Sequence, residues 1–483
     1  MAETRTVIPI THALAIADQE EALYEVRRKI YPRAVHGWFA NWRVTMVVFT
    51  QALFYGLPWF NWNERQAVLF DLGARKFYIF GVMFLPQDFI YLTLLLVISA
   101  LSLFLFTAVA GRLWCGYACP QTVYTEMFMW IEQKIEGGHV KQKRLDSAPW
   151  SARKIAIKGA KHAAWIALSL WTGFTFVGYV TPIKDLAAEV ARLSLGPWET
   201  FWVLFYGFAT YGNAGFMREQ VCKYMCPYAR FQSVMFDRDT LVITYDTKRG
   251  EPRGPRSRQT DIAVAGLGHC VDCEICVQVC PTGIDIRQGL QYECIGCAAC
   301  IDGCDQVMDK MGYPRGLIRY ATENALDHGY SWKEMVRRVL RPRTLVYTGV
   351  LWAIITTTGA SVWLRVPLKV NVIRDRATLA RQVDAQHVEN VYQLRVMNAD
   401  EKPHRFLIRA TGLKELQVLS EPQPLEIGPG TTRTIPVRLL AEIEHAQPGS
   451  HRIEFVIEAS DDEKHALPEV FSLHENSAFI IPH

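Results

Sequence analysis

The apolar positions of this chain follow two patterns, with long unbroken runs over most of its length and short alternating runs near its C-terminal end. A helix needs about 20 apolar residues to cross the hydrocarbon core of a bilayer. Five runs approach that length, and they cover residues 43–61, 89–110, 158–180, 199–217 and 344–363. A single run is equally typical of a buried core helix, but five in one chain predict a bundle of five membrane-spanning helices.

The segments between these runs differ in charge, and the difference predicts how the helices are oriented. Basic residues are frequent in 1–42, 112–157 and 337–343, and they are sparse in 63–87 and 182–198. Lys and Arg collect in the cytoplasmic connections of membrane proteins. We therefore expect a cytoplasmic N-terminus, cytoplasmic segments before the third and fifth helices, and a C-terminal segment on the outer side of the membrane.

Beyond the last long run, apolar and polar residues alternate in short stretches. These stretches cover residues 391–398, 404–411, 415–420, 433–440 and 451–459. Pro- and Gly-rich pieces separate several of them, as turns separate strands. This arrangement over about 110 residues predicts an all-β immunoglobulin-like sandwich. No cysteine follows Cys304, so the packed core alone would hold the sandwich together.

Eight of the twelve cysteines lie in two tandem copies of the pattern C-x2-C-x2-C-x3-C. This spacing is typical of two-cluster bacterial ferredoxins, in which the fourth cysteine of each copy binds the other cluster. The first [4Fe-4S] cluster is therefore assigned to Cys270, Cys273, Cys276 and Cys304. The second is assigned to Cys294, Cys297, Cys300 and Cys280.

Two other interpretations of these eight cysteines are less consistent with the pattern. A zinc site is normally complete with two C-x2-C pairs and has no use for the triplet spacing. A disulfide scaffold needs an oxidising compartment, whereas the charge pattern places this segment in the cytoplasm. We therefore retain the two-cluster interpretation.

The other four cysteines form two C-x3-C-P motifs, Cys115–Cys119 and Cys222–Cys226. An arginine precedes each motif, and residues 89–137 and 199–236 form a weak internal repeat. In a helix, residues four apart share one face, and a proline can begin a new helix. Two such hairpins would bring the four thiols together at the membrane surface.

The residues alone leave the chemistry of these four cysteines open. Four thiolates could bind Cu(I), zinc or another iron–sulfur cluster. They could also form a redox-active dithiol, and buried cysteines can simply serve as small apolar side chains. Two matched copies of the motif favour a site over simple packing.

Length and composition support a chain of several domains. Half of its 483 residues are hydrophobic and only 21% are charged, which is more apolar than a soluble enzyme requires. The net charge of +4 gives no indication of nucleic-acid binding, and we expect none. We predict a multi-domain membrane protein: a five-helix α transmembrane bundle, a two-cluster ferredoxin insert of α+β type and the C-terminal sandwich. Its predicted segments are a cytoplasmic arm at 1–42, four helices within 43–217, a ferredoxin domain at 218–343, a fifth helix at 344–364 and the sandwich at 365–483.

The combination of motifs resembles one known family. The stretches 114–121 and 222–232, the tandem ferredoxin cysteines and the cysteine-free C-terminal sandwich are similar to the cytochrome c oxidase accessory proteins, called CcoG, FixG or RdxA. The resemblance implies a protein of the bacterial inner membrane, whose outer segments are periplasmic. It also implies a cupric reductase that converts Cu(II) to Cu(I) and supports copper supply and assembly of cbb3-type cytochrome c oxidase. It also implies that Cys115, Cys119, Cys222 and Cys226 are the catalytic residues and possible copper ligands.

On this basis we expect a cytoplasmic electron donor, copper-handling proteins and oxidase subunits as partners, the last through the C-terminal domain, besides the lipid bilayer itself. Two alternatives stay open. The C-x3-C-P motifs also resemble those of membrane ferredoxin subunits that handle quinol electrons, which favours a quinol or ferredoxin-type electron-transfer subunit. The second alternative is a non-enzymatic assembly factor with redox-sensing clusters.

Overall fold

The computed structural model describes residues 29–482, except 367, 375–379, 385, 401, 443–446 and 460–471. Residues 1–28 of the predicted N-terminal arm therefore lie outside the described residues. The described α-helices are α1 Trp38–Gly56, α2 Phe89–Ala110, α3 Leu113–Tyr117, α4 Pro120–Ile135, α5 His139–Ser147, α6 Ala152–Val177, α7 Ile183–Arg192, α8 Pro197–Thr210, α9 Arg218–Gln220, α10 Pro227–Met235, α11 Thr247–Gly250, α12 Ile262–Ala265, α13 Ile275–Gln278, α14 Ala299–Met311, α15 Glu323–His328, α16 Trp332–Val339 and α17 Pro342–Trp363.

Two π-helical segments, Tyr211–Met217 and Val221–Met225, flank α9. Three short 3-10 turns cover Leu57–Trp59, Pro86–Asp88 and Ile286–Gln288. The described strands are β1 Asn61–Trp62, β2 Arg65–Gln66, β3 Val68–Asp71, β4 Lys76–Ile79, β5 Val82–Phe84, β6 Val242–Tyr245, β7 Ile318–Ala321, β8 Leu368–Arg374, β9 Arg381–Gln382, β10 His387–Asn398, β11 His404–Thr411, β12 Gln417–Leu419, β13 Leu425–Ile427, β14 Thr432–Glu442, β15 Gly449–Ala459 and β16 Ser472–Ile481.

All five predicted apolar runs are largely helical, in α1, α2, α6, α8 with its π-helical continuation, and α17. Two described helical stretches, Pro86–Ala110 and Pro342–Trp363, are long and apolar enough to cross a membrane by length and composition. The predicted bundle of five spanning helices is therefore not confirmed. Charged residues at one end of α6 and the glycine-rich break after α8 lower the hydropathy of those two runs.

Helices α6 and α8 pack unusually closely, because two glycines face each other across their interface. A side chain at Gly173 would collide with the carbonyl oxygen of Val203, and one at Gly207 would come 3.3 Å from Leu170. Small residues of this kind let membrane helices approach at backbone distance. The contact holds α8 and its π-helical continuation in place beside α6.

At one end of the long helices, the antiparallel sheet β3–β4–β5 contacts the C-terminal sandwich. Met83 and Leu85 pack against Ala399, and Asp88 forms ion pairs with Arg365 and Lys369. Oε1 of Gln66, beside this sheet, accepts a hydrogen bond from the backbone N–H of Ile183 at 3.0 Å, in the segment that follows α6. Three segments predicted to be periplasmic therefore meet at this end.

At the opposite end, the ferredoxin segment caps the start of α1. The Asp302 carboxylate in α14 accepts hydrogen bonds from the backbone N–H groups of Phe39 and Ala40, at 3.3 and 2.7 Å. An acidic side chain at this position satisfies free helix N–H groups and complements the helix dipole. The backbone N–H of Arg33 also donates to the Gln278 carbonyl oxygen at 2.8 Å.

The ferredoxin segment is closed by one antiparallel strand pair. Strand β6 pairs with β7, with Ile243 opposite Tyr320, and so joins the residues before the first cysteine motif to those after the second. Ile243, Met308 and Ile318 are buried between this pair and α14. The arrangement is the small α+β insert that the sequence predicts.

The C-terminal segment is a two-sheet sandwich, as predicted. One sheet has the order β12–β14–β10–β8, with β9 also paired to β10, and the other has the order β13–β11–β15–β16. Leu394, Ile435, Phe455 and Phe479 are fully buried between the sheets. The five predicted stretches are strands β10, β11, β12, β14 and β15, whereas β8, β9, β13 and β16 were not predicted.

Candidate functional site

A small cavity lies between the first cysteine motif and α14, and it is lined by Cys270, Cys273, Cys276 and Cys304. These are the four cysteines assigned to the first cluster. Cys270 and Cys276 are buried, while Cys273 is exposed. The two edges of the site therefore differ, with one facing the protein core and the other facing solvent.

A second small cavity is lined by Cys280, Cys294, Cys297 and Cys300, together with Cys276. The first four are the cysteines assigned to the second cluster. The structure thus places the last cysteine of each motif beside the three leading cysteines of the other motif. The lining of this cavity is almost entirely apolar or sulfur.

Both motifs reach this arrangement through the same backbone conformation. The residue before the second cysteine is left-handed in each copy, with φ of 50° at Asp272 and 70° at Gly296. The residue after it is left-handed as well, with φ of 55° at Glu274 and 58° at Ala298. Left-handed conformations cost free energy at residues other than glycine. Their repetition therefore indicates that the surrounding structure holds both motifs in this backbone conformation.

The thiols need a positively charged centre to be ionised. Burial, reinforced by neighbouring thiolates, raises the pKa of Cys276, Cys294 and Cys304 to about 12. Metal binding reverses this preference because the metal's ligand is the thiolate. Four converging cysteines in an apolar cavity therefore fit a thiolate-bound iron–sulfur cluster at each of the two positions.

Among the described residues, no three His, Cys, Asp or Glu side chains come close enough together to hold a single metal ion. Ligands of one zinc ion all lie about 2.3 Å from it, whereas each cysteine of a cluster binds a different iron atom. The same observation means that Cys115, Cys119, Cys222 and Cys226 do not form a preassembled single-ion site.

The C-x3-C-P motifs do not place both cysteines on one continuous helix, and the expectation based on helical spacing was wrong. Cys115 lies in α3, whereas Cys119 is extended, with ψ of 128°, and caps α4. Cys222 lies in a π-helical segment, and Cys226 caps α10. The reason is the following proline, which excludes the helical conformation from the residue before it.

The prolines do begin new helices, as predicted. Pro120 and Pro227 are the first residues of α4 and α10. Each second cysteine therefore lies at a helix N-terminus, where free N–H groups favour an anion. The N–H groups of Gln121 and Thr122 lower the pKa of Cys119, but burial is the larger effect and the pKa is raised overall.

The four thiols of the two motifs, called the thiol quartet below, share one site. Burial raises the pKa of Cys115 to about 11 and of Cys222 to about 12, and the charges of the other quartet members raise it further. The Cys115 thiol donates to Oε1 of the buried Gln232 at 3.4 Å. Nothing in the sequence patterns pointed to Gln232, which lies in α10, the helix that follows the second motif.

The quartet lies directly against the second ferredoxin cavity. Cys115 and Cys222 pack on the buried group that contains Ile295 and Cys297. A Cβ atom at Gly116 would come 2.7 Å from the Gly296 carbonyl oxygen, so only glycine allows α3 to approach this closely. The backbone of one motif therefore touches the loop that carries two ligands of the second cluster.

Three further side chains hold this loop: Arg112 and Arg43 join it to the helices, and Tyr320 joins it to β7. Nη1 of Arg112 donates to the Cys294 carbonyl oxygen at 3.2 Å, and Nη1 of Arg43 donates to that of Cys297 at 3.0 Å. The Tyr320 hydroxyl donates to the Gly296 carbonyl oxygen at 2.6 Å. The repeat singled out Arg112, but Arg43 was missed because it stands at the edge of an apolar run.

The second arginine of the repeat has a different role. Nη2 of Arg218 pairs with Oε2 of the buried Glu132 at 2.8 Å and does not contact the ferredoxin loop. The cysteines of the two halves of the repeat therefore occupy similar positions, whereas the two arginines have different partners.

Three family models match the chain. One describes a 4Fe-4S dicluster domain and matches residues 217–323, and a second describes a 4Fe-4S binding domain and matches residues 92–137. The third describes an IG-like fold at the C-terminus of FixG and matches residues 358–482. The predicted ferredoxin segment and the predicted sandwich are both supported by these matches.

Three relatives are similar over most of their length. The nitrogen fixation protein FixG of Rhizobium meliloti is 40% identical over 412 residues, which cover 78% of each chain. Protein RdxA of Cereibacter sphaeroides is 40% identical over 81% of this chain and 84% of its own. Protein RdxB of the same organism is 36% identical over 86% of this chain and 88% of its own.

The fourth cysteine of each motif lines the cavity of the other motif. This arrangement predicts which cysteine variants lose the same cluster and therefore have the same spectrum. Cys304→Ser should remove the cluster of the first motif, because Cys304 lines the first cavity. Its electron paramagnetic resonance spectrum should match that of Cys270→Ser, with iron falling from about eight to about four atoms per chain. Cys280→Ser should match Cys294→Ser instead. A Cys304→Ser spectrum that matches Cys294→Ser would contradict the assignment.

Arg112 should raise the reduction potential of the second cluster. Its guanidinium lies on the Cys294 carbonyl and stabilises an added electron. We expect Arg112→Gln to lower that potential by on the order of tens of millivolts and to leave the first cluster unchanged in a potentiometric titration. Arg218→Gln is the matched control, and equal shifts in both variants would disprove this role.

Proposed function

The chain belongs to the FixG, RdxA and RdxB family of iron–sulfur, oxidoreductase-like electron-transfer proteins, and from this premise we propose that it is a membrane-bound cupric reductase. In this role it converts Cu(II) to Cu(I) and so supports copper supply and assembly of cbb3-type cytochrome c oxidase. When bound, the two iron–sulfur clusters supply electrons one at a time.

The contact between the thiol quartet and the second ferredoxin loop is the observation that carries the proposal. Gly116 touches the Gly296 backbone, and Cys115 and Cys222 pack beside Cys297. Thiolates bind Cu(I) well because both partners are soft. A quartet in this position can therefore favour the reduced copper ion and receive the electron that forms it.

Copper is the substrate of this reaction, and it passes through the quartet without staying there. The four thiols are raised in pKa by burial and by one another, so an arriving copper ion would displace protons from them. The described side chains supply no preassembled single-ion cage, which suits transient binding and release to a copper-handling protein.

The exposed edge of the first cavity is the natural place for a cytoplasmic electron donor. Cys273 is exposed there, while the cysteines that line the second cavity are buried or half-buried. A soluble donor can reach the first site directly. The second site lies between the first one and the quartet, because Cys276 lines both cavities and Cys297 packs beside Cys115.

Helix length and composition alone identify two membrane-spanning candidates among the described helices. The contacts at the two ends of the long helices support the topology with five. Segments predicted to be periplasmic meet at one end, where Asp88 pairs with Arg365. Segments predicted to be cytoplasmic meet at the other, where Asp302 caps α1. Large apolar side chains are also exposed along α1, α6 and α8, as lipid-facing surfaces require. In this topology the sandwich is periplasmic and can contact oxidase subunits.

A cellular test separates the reductase from an assembly factor without enzymatic activity. In a strain that lacks its own copy, the variant with Ser at positions 115, 119, 222 and 226 should yield little active oxidase at low copper. Met225→Leu, within the second motif but without loss of a thiol, should behave as wild type. Normal oxidase levels with the four-serine variant would favour the assembly factor instead.

A further inference from the structure

A cavity of about 450 Å³ lies beside the thiol quartet, between α4, α6 and the first π-helical segment. It is separate from both ferredoxin cavities, and its lining is divided almost equally between polar and apolar surface. This volume falls in the range of sites for small organic molecules. None of the cysteines lines it.

One side of the cavity is aromatic. Trp165 and Phe216 line it, and the His162 ring stacks on Phe216 with an angle of 13° between the ring planes. The Tyr211 hydroxyl is hydrogen-bonded to Nδ1 of His162 at 2.9 Å, so Nε2 is the ring nitrogen left for a ligand. This side is suited to a flat ring that carries a hydroxyl or carbonyl group.

Lys161 and Arg218, which both lie over the Trp165 ring, belong to a chain of buried ionic groups. Glu132 pairs with Arg218 at 2.8 Å and lies 3.5 Å from Lys161, which in turn pairs with Glu136 at 3.0 Å. Lys158 then bridges Glu136 to Asp146, at 2.8 and 2.5 Å. Glu132 and Lys161 are almost fully buried, whereas Asp146 is partly exposed, so the chain connects the cavity to the surface.

The charges select the class of ligand. Four cationic groups at the cavity are matched by four carboxylates that line it or pair with its lysines. A balanced site does not favour an anion, and no three metal-ligating side chains among the described residues gather there. A neutral ring with polar substituents can stack on the aromatic rings of the cavity and form hydrogen bonds with its charged side chains.

We propose that this cavity binds the head group of a membrane quinol as an electron donor, an inference that rests on the proposed electron-transfer function. The quinol loses two hydroxyl protons and two electrons and becomes a quinone. The two electrons would pass, one at a time, to the iron–sulfur clusters that the two sets of ferredoxin cysteines would hold, and the quartet packs against the second of these sites. Nε2 of His162 and the Glu132 carboxylate take the two protons.

The position of the cavity supports this use. Arg218 and Glu219 line it, and Cys222 follows them within about one turn of the same helical run. The intervening wall contains both π-helical segments, which are rare and often occur at functional sites. A donor bound here is therefore adjacent to the quartet, while a soluble donor would be confined to the exposed edge at Cys273.

Gly215 and Gly212 provide a blocking variant and a matched control. A Cβ atom at Gly215 meets the Trp165 ring at 3.3 Å, so Gly215→Leu should fill the cavity. A Cβ atom at Gly212, on the same π-helical segment, has nothing within 4 Å. In lipid nanodiscs, the wild type and Gly212→Leu should bind decylubiquinone in calorimetric titrations, and Gly215→Leu should bind it at least tenfold more weakly.

A second experiment tests electron transfer by rapid mixing of the oxidised protein with decylubiquinol. We expect the cluster absorbance to bleach, at least tenfold more slowly in Gly215→Leu than in Gly212→Leu. The absence of binding, equal behaviour of the two variants, or reaction only from reduced clusters to decylubiquinone would overturn the proposal. Dithionite-reduced clusters should reduce Cu(II) in both variants, and failure of that control would count against the cupric reductase and not against the quinol site.

Discussion

The close packing of Gly116 on the Gly296 carbonyl is the contact on which the functional site depends. It requires a residue without a side chain in the first C-x3-C-P motif and a left-handed glycine in the ferredoxin loop. Without it, the thiol quartet and the second cavity would be two separate sites. With it, buried cysteines from helices and loop lie in one continuous region of low polarity, where charges interact strongly.

Specific polar contacts from the helices preserve this arrangement. Arg43 and Arg112 bind carbonyl oxygens of the cysteine loop, and Asp302 caps α1 from the ferredoxin side. Buried charged groups are stable only when they are paired or hydrogen-bonded. Each of these contacts therefore joins the apolar helices to the segment that carries the ferredoxin cysteines. Together they fix the orientation of the ferredoxin segment relative to the helices.

The sequence patterns predicted the cysteine groups, the long helices and most strands, because spacing and alternation follow directly from local geometry. They did not predict the helix break at Cys119, whose cause is the proline at the next position. They also missed Arg43 and Gln232, since neither stands in a periodic pattern and each acquires its partner through tertiary packing. Strand β16 was missed because its sequence does not alternate: a mostly polar first half is followed by four apolar residues, 478–481.

Single-turnover copper reduction tests the central claim most directly. Protein purified without oxygen would have its clusters reduced and would then be mixed with Cu(II) and a Cu(I)-specific indicator, while cluster and indicator absorbance are followed together. We expect cluster reoxidation and Cu(I) to appear at the same rate. That rate should fall at least tenfold when the four quartet cysteines are replaced by serine and both clusters remain intact. Equally fast reoxidation in that variant would contradict a role for the quartet in copper reduction.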